Sequence, residues 1–85
     1  MLDTLNGVYP MIERIEFVTA NVVRITATST LTGQSNQMEL PLWKRHLDAW
    51  AGGMLIQDAM PHLSAEQREF LMTGITPDEW NAEFA

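Results

Sequence analysis

From Val22 to Leu31, apolar and polar side chains alternate with a period of two. Val23, Ile25, Ala27, Ser29 and Leu31 fall on one side, and Arg24, Thr26, Thr28 and Thr30 on the other. Successive side chains of a strand point to opposite faces, so this pattern belongs to a half-buried strand and not to a helix. The β-branched residues suit both faces of a pleated surface. A strand with one apolar face is not stable alone, because that face must be buried against a second layer. The rest of the chain has to supply partner strands and a cover.

The partners flank it. Met11 to Val18 reads as a strand with Ile15 and Phe17 on one side and Arg14 and Glu16 on the other, followed by a turn at Thr19, Ala20 and Asn21. After a second turn from Thr32 to Asn36, where Gly33 supplies the unusual backbone, a third strand points Met38, Leu40 and Leu42 inward and Gln37 and Glu39 outward. Pro41 marks its end or an edge. The expectation is a three-stranded antiparallel meander over about 11–18, 22–31 and 36–42. Residues 1–10 show no period and carry Gly7 and Pro10, which fits a loose arm or a short edge strand.

The cover reads as helical. Trp43, Leu47, Trp50 and Met54 recur at the spacing of one helical stripe. Gly52 and Gly53 interrupt it, since two glycines inside a helix cost about 2 kcal/mol relative to alanine. Four short helices are expected, over about 43–51, 54–60, 65–73 and 77–83. The result is an α+β fold of two layers in a single domain spanning 1–85. Burying Trp43, Leu47 and Trp50 is expected to dominate stability, at about 1.5–3 kcal/mol for each side chain.

The last two helices carry the most explicit local signals. Ser64 and Gln67 form a capping box, with Glu66 in the first turn where the helix dipole favours an acid. Gly74 fits a left-handed C′ position, with Ile75 meeting Phe70 in a Schellman ending. Thr76, Pro77 and Glu79 begin the next helix, with Ile75 and Trp80 spaced as a hydrophobic staple. All of these residues are explained by the helical corner they specify.

Charge is placed unevenly. Residues 1–45 hold Asp3, Glu13, Glu16 and Glu39 against Arg14, Arg24, Lys44 and Arg45, and sum to zero. Residues 46–85 hold seven acids against Arg68, and carry the whole net charge of −6. An acidic half repels phosphate and attracts a basic protein surface, although any net charge also aids solubility. Cysteine is absent, which excludes disulfides and thiolate chemistry. No apolar run is long enough for a membrane span, and the start MLDTLNG lacks the regions of a signal peptide, so a cytoplasmic protein is expected.

Signals for catalysis are weak. His46 and His62 are the two histidines; a metal site on His62 and Glu66, four apart, would need a third ligand such as Asp58, and no recognisable spacing supports it. No phosphate loop, nucleophile elbow or HExxH motif is present, and no catalytic residue, metal or cofactor is expected. The threonine-rich face of the second strand reads as a solvated sheet face, or as a surface that pairs with a partner. Trp80 is expected in the core through its staple, and Phe84 as an exposed anchor or frayed end.

Leu31-Thr32-Gly33 with Asn36 and Met38, then Trp50, Gly53, Ile56-Gln57, Pro61, Leu63, Arg68-Glu69-Phe70, Thr73-Gly74-Ile75-Thr76 and Glu79-Trp80, form a connected pattern. It resembles a group of small accessory proteins of bacteriophages and prophages, over about residues 30–84. The resemblance implies a mobile-element origin and an accessory role, and brings no catalytic residues to transfer.

The functional expectation is a non-enzymatic binding protein that sets its acidic half against a basic surface of a host protein. Its carboxylates would occupy a site meant for phosphates in nucleic-acid-handling or defence machinery. The candidate partner-binding residues are Asp48, Asp58, Glu66, Glu69, Asp78, Glu79, Glu83 and Phe84. Neither direct nucleic-acid binding nor membrane binding is expected. The alternative is a structural or assembly protein, a homodimer included, that self-associates through a strand edge or the Trp80–Phe84 end.

Overall fold

Three strands come first and four helices follow, in a computed structural model that describes residues 11–84. The strands are β1 (Ile12–Thr19), β2 (Val22–Thr28) and β3 (Ser35–Leu40); the helices are α1 (Lys44–Ala51), α2 (Ile56–Ala59), α3 (Ala65–Thr73) and α4 (Pro77–Phe84). The arm or edge strand considered for residues 1–10 lies outside the described residues.

The strands form an antiparallel sheet in the order β1-β2-β3. Ile25 sits between Ile15 and Met38, and the adjacent row places Arg24 between Glu16 and Glu39. One row faces the core and the other faces out. On the outer row the Arg24 guanidinium reaches Glu39 at 2.9 Å and Glu16 at 3.6 Å, and Arg14 reaches Glu16 at 3.3 Å. Such exposed pairs contribute about 0–1 kcal/mol each and act mainly on register.

β2 is shorter than its alternation suggests, because Ser29 leaves the ladder to build a turn. The Ser29 hydroxyl accepts the amides of Leu31 and Thr32, its own amide donates to the Gln34 carbonyl, and its carbonyl accepts from Gly33. Ser29 is buried with all of this satisfied, and Leu31 belongs to the turn. On β1, register shifts flank the centre of the strand, and Ile12 is buried. Phe17 stays 53% exposed, since the helical layer lies over the middle strand, where α3 packs on β2, and leaves this part of the outer strand uncovered.

The core joins Val23, Ile25, Ala27 and Leu40 of the sheet to Leu42, Leu47, Met60, Leu63, Phe70 and Leu71 of the cover. The expected stripe is only partly right. Leu47 is buried and Trp50 packs half-buried against the core, but Trp43 is 44% exposed. Trp43 is the N-cap of α1, with an extended backbone, so it lies off the helical stripe. Met54 is exposed because it falls past the end of α1. Phe70 on α3 is fully buried, more so than any residue of the expected stripe.

The helix ends correct one detail. At α1 the Met54 amide donates to Ala49 and the Gly53 amide to Trp50, with Gly53 at φ +110°, which is the Schellman pattern. At α3, Gly74 has φ +74° and its amide donates to Phe70 at 2.8 Å, but the Ile75 amide goes to the Thr73 hydroxyl instead of the helix carbonyl. This is the simpler left-handed ending. Both capping boxes form: Gln67 N–H to Ser64 Oγ at 3.1 Å, and Glu79 N–H to Thr76 Oγ1 at 3.2 Å. The helix expected over 54–60 shortens to four residues, framed by Leu55 and Met60 as its caps.

Candidate partner-binding face

The α3–α4 corner is locked to the β2–β3 turn by a set of directional contacts. The Thr30 amide donates to the Thr73 carbonyl at 2.9 Å, and the Asn36 side-chain amide donates to the Gly74 carbonyl at 3.1 Å. The Thr32 hydroxyl donates to Glu79 Oε2 at 2.6 Å. Gly74 is needed twice. It holds a left-handed backbone, and a Cβ there would lie 2.3 Å from the Thr28 carbonyl oxygen. No other glycine in the described residues is pressed so closely.

Glu79 is therefore committed to structure. Thr32 holds its carboxylate far below the usual range, to about 2, against an opposing cost of burial, and Asn36, the Thr76 amide and Ser29 add smaller lowering contributions. A carboxylate that accepts several hydrogen bonds keeps its charge at low pH.

Beside this corner a groove of about 280 Å³ opens between the start of α3 and the first turns of α4. Glu66 and Glu69 line one side, Pro77, Trp80 and Asn81 the other, and Ala65, Ile75 and Thr76 the remainder. Trp80 does not enter the core as the staple suggested; it remains 49% exposed as a wall of the groove. Its ring meets that of Phe84 at 4.5 Å between centroids, so the aromatic surface extends to the end of α4.

Arg68, the base on α3, does not answer these acids. Its Nη1 donates to the Leu63 carbonyl at 2.7 Å, which caps the turn leading into α3. Among the described residues Asp58, Glu66, Glu69, Asp78 and Glu83 make no ion pair. Asp48 differs, since Lys44 lies one helical turn away at 2.8 Å. Of the eight candidates, Glu66 and Glu69 share the groove and Phe84 adjoins it through Trp80. Asp78 and Glu83 are exposed on α4, Asp58 is exposed on α2, Asp48 sits on α1, and Glu79 is turned to the sheet.

Two carboxylates and an indole lining one groove are groups to which a cationic side chain can bind. An ammonium or guanidinium group takes charge-assisted hydrogen bonds from the acids while lying over the ring. The geometry offers no equally direct route to a metal site. His46 Nδ1 accepts the Trp43 amide at 2.9 Å, which leaves that ring's proton on Nε2 and removes the lone pair a metal would need. Among the described residues no group of three potential ligands gathers, and no helix is long and apolar enough to cross a membrane.

Thr32, Asn36 and Arg68 stand in the resemblance pattern, but sequence reasoning gave none of them its contact with Glu79, Gly74 or Leu63. Their partners lie on other elements, and nothing local in the chain signals them. No protein-family description matches the chain, and neither the curated proteins nor the solved structures provide a match.

Proposed function

We propose that the chain is a non-enzymatic accessory protein of phage type that binds a basic surface of a host protein through its acidic helical half. The observation that supports this reading is the groove that Glu66, Glu69 and Trp80 line while Arg68 is turned away to backbone carbonyls. A lysine or arginine of the partner enters the groove, and the unpaired acids around it steer the approach. A protein that handles nucleic acid presents such a surface, and acids held over it displace phosphates. The phage origin and the host cytoplasm rest on the sequence resemblance of residues 30–84.

The experiment is a titration of the whole protein with a short Arg- and Lys-rich peptide over a series of salt concentrations. Indole fluorescence and amide shifts place the contact. Affinity falls as salt rises, and the shifts centre on Glu66, Glu69 and Trp80. Binding insensitive to salt, or shifts centred elsewhere, would contradict the reading.

A second reading, self-association through the C-terminal end, draws on the exposed Trp80–Phe84 ring pair. Light scattering over a concentration range separates the two, because this reading requires a mass that rises with concentration.

A further inference from the structure

On the face that carries the start of α1, the chemistry is reversed. Arg14 and Arg24 are paired with Glu16 or Glu39, Lys44 with Asp48, and Arg68 with backbone carbonyls. Among the described residues Arg45 is the one Lys or Arg whose charge is met by neither a carboxylate nor a carbonyl; its guanidinium lies 4.3 Å over the ring of Trp43. Trp43 and Arg45 border an open basin of about 450 Å³, lined also by His46, His62, Asn21 and Pro41, with no acid among the described residues of its lining.

The two imidazoles of this basin are held in place. His46 Nδ1 is occupied by the Trp43 amide, so its Nε2 carries the proton and donates. The His62 ring is fixed by Nε2 on the Pro41 carbonyl at 2.7 Å and by its packing on His46, at 4.7 Å between centroids. The Asn21 backbone amide is taken by the Thr19 hydroxyl, and its side-chain amide has no protein partner among the described residues. The basin thus offers donors from α1 and from the β1–β2 turn, around an arginine with no counter-ion among the described residues.

We propose that this basin binds a small phosphate monoester. A carboxylate has two oxygens in one plane, and the fork of Arg45 alone would satisfy it. A tetrahedral phosphate has three terminal oxygens, and the separate donors of Arg45, His46 and Asn21 suit that arrangement. The net charge of −6 disfavours a long polyanion, so the ligand class is a small dianion and not a nucleic acid strand. This inference is independent of the acidic groove.

The test is an NMR titration of the full isotope-labelled chain at fixed ionic strength, with inorganic phosphate, adenosine monophosphate and acetate as separate probes. The expected result is a saturable shift with both phosphates at the Trp43 indole and the Asn21, Arg45 and His46 amides. Arg45→Ala weakens it roughly tenfold, the loss of one charge-assisted contact, and Asn21→Ala weakens it less. Both side chains are exposed, so circular dichroism and melting stay as in the parent. Acetate binding as tight as phosphate, shifts that never saturate or scatter over the surface, or an unchanged affinity in Arg45→Ala would each overturn the proposal.

Discussion

The Thr32 hydroxyl donates a 2.6 Å hydrogen bond to Glu79 Oε2, across 47 positions of sequence. The other oxygen of the same carboxylate accepts the Thr76 amide at 3.1 Å. One side chain therefore caps α4 and ties it to the turn between β2 and β3. The groove beside α4 takes its shape from that tie, because Trp80 follows Glu79 directly.

Glu79 makes the fold sensitive to acid in a defined window. Its folded pKa of about 2 lies below the ordinary 4.5, so the unfolded chain binds the proton more readily. The stabilisation is full above the ordinary value and is lost as pH falls towards about 2. Glu79→Gln is expected to be less stable than the parent at neutral pH, with the difference shrinking through this window. Urea unfolding at a series of pH values checks it, and a constant difference would show that the carboxylate charge is not involved.

Two glycines with nearly the same φ should respond differently to alanine. Gly33 has φ +78° with open space around it, and Gly74 has φ +74° with the Thr28 carbonyl in the way. Gly33→Ala is expected to cost about 1–2 kcal/mol, the penalty of the left-handed region alone. Gly74→Ala adds an overpacking term, for about 2–5 kcal/mol in total. Equal losses in chemical denaturation would mean that the corner does not press on β2.

The core is centred on Phe70 and not on the tryptophan stripe. Phe70→Ala is expected to cost about 3–5 kcal/mol, as for other buried aromatics. Trp43→Ala, at a half-open cap position, should cost about 1 kcal/mol or less. Denaturation midpoints at unchanged slope compare the two directly.

The sequence was legible where structure is local. The meander follows from alternation around Ile25, the break after α1 from Gly52 and Gly53, and both capping boxes from Ser64–Gln67 and Thr76–Glu79. It misled where local spacing stood in for packing. Trp43 fits a helical stripe by number but sits at the cap, and Trp80 fits a staple but stays at the surface. The Schellman pattern expected at Gly74 occurs at Gly53, because the Thr73 hydroxyl takes the Ile75 amide. The acidic half was visible as composition, yet its focus was not. That depends on where Arg68 points and on how α4 crosses the start of α3, and both are set by contacts between distant residues.

A charge-reversal comparison tests the binding account most directly. Glu66→Lys with Glu69→Lys alters the groove, and Asp48→Lys alters an acid already paired with Lys44 on α1. Affinity for the Arg- and Lys-rich peptide is measured by calorimetry at fixed, low salt. The account predicts a loss of at least about tenfold for the groove pair and a much smaller change for Asp48→Lys. Losses that scale only with net charge, the same per reversed residue at either place, would contradict it.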